Sequence, residues 1–250
     1  MASKMEMLIH ERKDKLVTLM PDGVRDENKF LTKIAIEASM LCKQNTRLAD
    51  CSPMSMMSGV MEAVRHGLSF SNRDCYLVPY GKTAQFILGA PGIAKILYRT
   101  GLFSRIEYET VRANDTFEYK QGSEVSLNFS KAERNRGEVR CAYALAVMKD
   151  GTQHMYLCSY DDLMNIRNSS KNFKESDKNN PYNQWADEMF AKAPMKRLFK
   201  RLPVDPLTHG DRVQQAFASF GADGGTLSEE GDFVEATYDE DSGEVFAPAE

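Results

Sequence analysis

At Asp74 the rhythm of apolar residues changes, and that change decides which fold classes are open to the chain. Before it, apolar residues recur at helical spacing. Leu8, Ile9, Leu16 and Leu19, then Phe30, Ile34, Ala38 and Leu41, form two amphipathic stretches broken at Pro21-Asp22-Gly23. Ser52-Pro53 reads as a cap followed by a first-turn proline, and Met54, Met57, Val60, Met61, Val64 and Leu68 continue the stripe. These methionines read as packing residues, because a flexible thioether fills irregular gaps. After Asp74, residues 75–80 and 84–88 flank Gly81-Lys82-Thr83 as two strands flank a hairpin loop. A short helix over 92–101 follows, then strands over 105–112, 116–119, 125–129, 138–148 and 153–158, the last two joined by Lys149-Asp150-Gly151-Thr152. Ser159 to Asp162 reads as the capping-box start of a helix through Ile166, and Asn180-Pro181 caps another bearing Trp185 and Met189. Helices, then antiparallel strands, then helices predict an α+β fold: a small antiparallel sheet with a β-hairpin, flanked by helices.

Residues 189–203 set an apolar stripe beside a doubled row of positive charge. Met195, Leu198, Phe199 and Leu202 follow the i, i+3, i+4, i+7 rhythm of a buried helix face. Lys196 pairs with Lys200, and Arg197 with Arg201, at i, i+4, so the four cations are expected on one exposed side. No acidic residue interrupts the run. Like charges one turn apart repel by a few tenths of a kcal/mol per pair, a cost that a polyanion converts into attraction. The alternative is a solvated face with no partner.

The whole chain holds 32 Lys and Arg against 36 Asp and Glu, a net charge of -4, which first argues against a polyanionic ligand. That average hides a split. Residues 221–250 contain ten acidic side chains and no Lys or Arg, which leaves the first 220 residues with six more cations than anions. A mildly basic body with an acidic tail suits nucleic-acid binding. With 42% hydrophobic residues, the body is large enough for one sizeable core. The five cysteines, Cys42, Cys51, Cys75, Cys141 and Cys158, form no C-x-x-C pair and read as reduced, buried apolar residues of a cytoplasmic protein. No apolar run approaches the ~20 residues of a membrane span, and the first residues lack a signal-peptide core.

Bond-making chemistry finds no foothold in this pattern. Gly81-Lys82-Thr83 resembles the end of a phosphate-binding P-loop, but Tyr76 stands where the first glycine is required and the loop joins two strands. The body's acids are scattered and mostly adjoin Lys or Arg, unlike the carboxylate clusters of metal-dependent nucleases. Asp161-Asp162 is accounted for by helix capping, and the four histidines lack a partnered Ser or Cys. The chain is therefore expected to act without ATP, metal or catalytic cofactor, with magnesium entering at most as a counterion of a nucleic-acid ligand.

What recurs is aromatic and basic residues interleaved. Tyr76, Tyr80, Lys82 and Phe86 lie on the hairpin, Lys95, Tyr98 and Arg99 on the next helix, and Arg105 and Arg112 on the strand after it. The polar loop over 168–182 adds Lys171, Lys174 and Lys178. Aromatic faces stack any base, at ~1–3 kcal/mol each, while cations track phosphates without reading sequence. Each aromatic has core packing as its competing role. The cations cannot be buried unpaired.

These residues also form words of a known family. Residues 63–68 (Ala-Val-Arg-His-Gly-Leu), 75–81 (Cys-Tyr-Leu-Val-Pro-Tyr-Gly) and 86–93 (Phe-Ile-Leu-Gly-Ala-Pro-Gly-Ile) are three of them. Arg136-Gly137 with 142–144 (Ala-Tyr-Ala), Trp185, and Met189 through Pro203 complete the set. Over roughly residues 48–203 the chain resembles the RecT-type single-strand annealing proteins of phages and prophages. That resemblance implies an ATP-independent recombinase that coats single-stranded DNA, anneals complementary strands and assembles into rings or filaments. It further implies work with a 5'-3' exonuclease and a single-stranded DNA-binding protein. The chain is expected to divide into an N-terminal helical region over 1–47, an annealing core with a DNA groove over 48–210, and an acidic tail over 211–250 whose composition reads as disordered. One departure stands out: relatives usually show Lys-Lys-Thr-Ala before the basic run, where this chain has Ala191-Lys192-Ala193-Pro194. Pro194 lacks a backbone donor and is expected to kink or restart the helix there. Two other readings are a metal-dependent nuclease or other DNA-processing enzyme with an unrecognised site, and an oligomeric scaffold that binds protein.

Overall fold

A computed structural model of the chain describes residues 2–21, 24–122, 124–170, 173–176 and 180–204, and two short strands near the C-terminus. Five helices come first: α1 (Ala2–Glu11), α2 (Lys13–Leu19), α3 (Glu27–Gln44), α4 (Thr46–Ala49) and α5 (Pro53–Arg65). The hairpin β1 (Cys75–Tyr80) and β2 (Thr83–Leu88) leads to α6 (Ala90–Arg99). Strands β3 (Phe103–Arg112), β4 (Thr116–Lys120), β5 (Ser126–Ser130), β6 (Val139–Met148) and β7 (Gln153–Ser159) follow. Helices α7 (Tyr160–Asn168), α8 (Pro181–Gln184) and α9 (Ala186–Phe199) precede β8 (Thr237–Tyr238) and β9 (Val245–Phe246). The chain is α+β, with small antiparallel sheets and flanking helices. The acidic tail that the sequence marks as disordered otherwise lies outside the described residues.

Local chemistry sets most boundaries. Asp26 and Asn45 accept the backbone N–H of Lys29 and Arg47 and so cap α3 and α4. Ser52 caps α5 ahead of Pro53, and Ser159 with Asp162 forms the reciprocal capping box of α7. Helix α5 stops in a Schellman turn: Leu68 N–H reaches Ala63 O and Gly67 N–H reaches Val64 O, each at 2.9 Å. Gly67 takes φ 58°, and a β-carbon there would sit 2.6 Å from the Pro21 ring. The Val-Arg-His-Gly-Leu word is thus a helix terminus.

Strands β3, β6 and β7 form one antiparallel sheet in the order β3-β6-β7, with Tyr108, Ala144 and Tyr156 in one row. Alternation places Thr110, Ala142, Ala144, Ala146 and Cys158 on the same face. Helix α9 packs on that face, and all three alanines are fully buried. Their lack of bulk lets the helix backbone lie close to the sheet. The other face is covered by the β4–β5 hairpin, where Phe117 stacks on Tyr143 at 5.5 Å and Phe129 meets it edge-on at 5.4 Å. One continuous core joins Met5, Ile9 and Leu16 to Val60, Ile93, Ala144 and Met195. All five cysteines are buried and unpaired, and burial pushes the Cys141 and Cys158 thiols up to about 11 and about 12.

Three expectations need correction. Helix α6 begins at Ala90, two residues early, because Gly89 occupies the cap and Pro91 fits the first turn. The helix expected from Asn180 through Met189 is two helices, since Trp185 leaves helical geometry at φ -131°, ψ 45°. Pro194 does not restart the helix: α9 runs through it from Ala186 to Phe199. The missing N–H costs roughly 3 kcal/mol, and the burial of Phe190, Ala191, Met195, Leu198 and Phe199 on the sheet and core holds the helix in place against it.

Candidate nucleic-acid interface

The apolar stripe of the basic segment is buried as expected, with Met195, Leu198, Phe199 and Leu202 all inside. The four cations do not share one open side. Lys196 and Arg197 are half-buried, while Lys200, the C-cap of α9, and Arg201 are exposed. Arg197 donates to Asp162 Oδ1 at 3.2 Å and to the Tyr156 hydroxyl at 3.4 Å. Burial opposes the Asp162 carboxylate, but hydrogen bonds from Ser159 and Arg197 outweigh it and hold its pKa below the ordinary value. Both guanidinium groups use the Tyr156 ring, Arg197 at 5.6 Å and Arg201 at 4.7 Å from its centroid. Tyr156 is therefore the ring on which two arginines are arrayed, a role invisible at its place in β7 because Arg197 lies 41 residues away. Lys200 and Arg201 make no ion pair with another described residue.

On the hairpin, Tyr76 and Tyr80 point to the same outer face and remain over one-third exposed, with Lys82 exposed in the two-residue turn. Phe86 lies on the opposite, core-facing side, half-buried and stacked on His66 with ring centroids 6.0 Å apart. Its expected place beside the two tyrosines is corrected by strand alternation, which separates even from odd positions across the paired register. Lys174 is exposed, and Lys171 lies outside the described residues.

The remaining predicted cations are committed elsewhere. Lys95 pairs with buried Asp74 at 2.6 Å. Arg99 donates to the carbonyls of His66 and Gly67 and so satisfies the end of α5. Arg105 meets Glu107 at 3.3 Å, an exposed pair of little energetic weight. Arg112 grips Asp187 through Nε and Nη2 at 3.0 and 2.7 Å. Arg136 completes that cluster, donating to Asp187 at 2.9 Å and to Asp115 at 3.0 and 2.6 Å. Hydrogen bonding from Arg136 holds the Asp115 carboxyl far below its usual range against the cost of burial. Arg112 and Arg136 thus fasten the N-terminal end of α9 to the sheet, and Thr110 adds a hydroxyl bond to the Asp187 carbonyl at 2.7 Å.

The sequence model of the RecT family matches residues 33–212, well over half of the chain. The chain belongs to the RecT family. Protein RecT of Escherichia coli (strain K12) is 28% identical over 167 residues, which cover 63% of this chain and 61% of that protein. The chain spans about three fifths of the length of the curated relative it matches. The RecT-family match takes in every element from α4 to α9. Several residues within the matched span are structural here: Gly67 ends α5, Gly89 admits the Arg73–Asp74 backbone, and Arg136 locks α9. Among the described residues, no group of three or more His, Cys, Asp or Glu could hold a metal ion, and no helix is long and apolar enough to cross a membrane.

Proposed function

We propose that this RecT-family protein binds single-stranded DNA and anneals complementary strands without ATP, working as an oligomer and feeding recombination. The observation that carries this reading is the positive charge gathered at the C-terminal end of α9. There Arg197 meets Asp162, Arg197 and Arg201 both stack on Tyr156, and Lys200 and Arg201 make no ion pair with another described residue. Lys196 adds a fourth cation to the same turn of helix. Phosphates relieve the mutual repulsion of such a cluster, and the protein reads no bases in doing so. Selectivity then comes from Watson–Crick pairing between the strands. Lys82, Tyr76 and Tyr80 on the hairpin and exposed Lys174 extend the contact surface, whereas Arg99 and Arg112 serve the fold.

The annealed duplex is the product, and a 5'-3' exonuclease that generates single strands is the natural supplier of substrate. A single-stranded DNA-binding protein would compete for the same strands. Complementary oligonucleotides carrying a fluorophore and a quencher, mixed with the protein in the absence of ATP, test the reading. Quenching well faster than spontaneous pairing is expected. Binding without acceleration would reduce the protein to a coating factor, and nucleotide release in magnesium would replace annealing by nuclease action.

A further inference from the structure

The chain's one tryptophan stands at a break between helices, about half exposed. Trp185 is 47% exposed and interrupts α8 and α9. Arg73 lies over it, its guanidinium carbon 4.6 Å from the ring centroid. Arg73 reaches that position through a left-handed backbone, φ 58°, a conformation that costs a non-glycine residue about 1 kcal/mol or more. The turn is tightly packed: a β-carbon on Gly89 would come within 2.3 Å of the Arg73 carbonyl and 3.1 Å of the Tyr76 ring. Tyr76, 38% exposed, therefore flanks the same turn. The other partner of Arg73 is Glu188 at 3.3 Å, an ion pair about half in solvent on both sides and so readily exchanged.

Two partly exposed aromatic side chains, Tyr76 on β1 and Trp185 at the start of α9, have Arg73 as a common neighbour, and a surface of this chemistry fits a nucleobase. Aromatic rings and guanidinium planes both stack bases, and a cation beside them meets the adjoining phosphate. We propose that Trp185, Arg73 and Tyr76 form a base-stacking step for single-stranded nucleic acid, on which Arg73 exchanges Glu188 for a phosphate. The step lies at the other end of α9 from the Lys200–Arg201 cations, about 21 Å along the helix. It rests on the annealing reading and adds to it a site that holds bases, where the basic end holds phosphates.

Because the chain has one tryptophan, its emission reports this site alone. The full-length protein is titrated with end-labelled oligothymidylate and with an abasic oligomer of the same length, binding being followed by anisotropy of the label. Both oligomers are expected to bind, but only oligothymidylate quenches tryptophan emission. Trp185→Leu is expected to weaken oligothymidylate about tenfold, the loss of one stacked base, leave the abasic oligomer unchanged, and be rescued by Trp185→Phe. Binding of both oligomers with identical emission would overturn the step and leave the annealing reading standing. Binding of neither would remove both. Should Trp185→Leu fail to fold, the comparison of the two oligomers on the unaltered protein still decides.

Discussion

The two ends of α9 carry similar charged side chains and put them to opposite uses. At the N-terminal end, Arg112 and Arg136 face Asp115 and Asp187 in a closed network, with the Asp115 side chain wholly buried. At the C-terminal end, Arg197 meets Asp162, while Lys200 and Arg201 stand in solvent without an ion pair to another described residue. The balanced network of Arg112 and Arg136 fixes the helix on the sheet, and the unbalanced cations Lys200 and Arg201 keep their charge for a ligand. Whether an arginine belongs to the fold or to a ligand is thus set by the carboxylates around it in space.

Substitutions at the two ends should separate stability from binding. The largest effect is expected from Asp115→Ala, which leaves Arg136 with half its carboxylate partners missing. Breaking such a pair costs about 3–5 kcal/mol, read as a fall in the urea midpoint. Acid should find the same place. Because the folded Asp115 pKa lies below its unfolded value, its contribution is complete above about pH 4 and is lost as pH falls toward the folded value. Asp115→Asn should flatten stability against pH below about pH 4, in chemical denaturation at several pH values.

At the open end, Lys200→Ala with Arg201→Ala should leave the urea midpoint nearly unchanged. The slope of log affinity against log salt for single strands should fall by about 1.4, roughly 0.7 for each phosphate no longer neutralised. An unchanged slope would remove these two residues from the interface. The smallest effect is expected from Tyr156→Leu, which takes away two cation–π interactions of about 0.5–1 kcal/mol each. Affinity should drop several-fold with the salt slope preserved, since the cations remain but lose their array. A large loss of stability instead would make Tyr156 part of the closed end's business.

Much of the architecture was legible because periodicity and caps are local. The strands from β3 to β7 fall within two residues of the stretches read from alternation, and Ser52 and Ser159 cap the helices they were expected to cap. What escaped was long-range. Arg99 and Arg112 look in sequence like Lys200, but their partners lie 32 and 75 residues away. Tyr156 and Arg73 gave no signal at all, since each acquires its role from a residue on a distant element. Pro194 misled for the converse reason: a local rule was overridden by burial on the sheet.

The row of Ala142, Ala144 and Ala146 has a consequence for how this molecule can vary. Three methyl groups line the gap between the middle strand and α9. That gap is a shim of fixed thickness, and the helix riding on it carries its two dissimilar ends as a rigid rod. Thickening the shim by one valine would tilt the rod and move the lysines and the tryptophan together, without touching either. Substitution at these buried, ligand-remote positions is therefore a way to change the span between two contact points while leaving the chemistry of both intact.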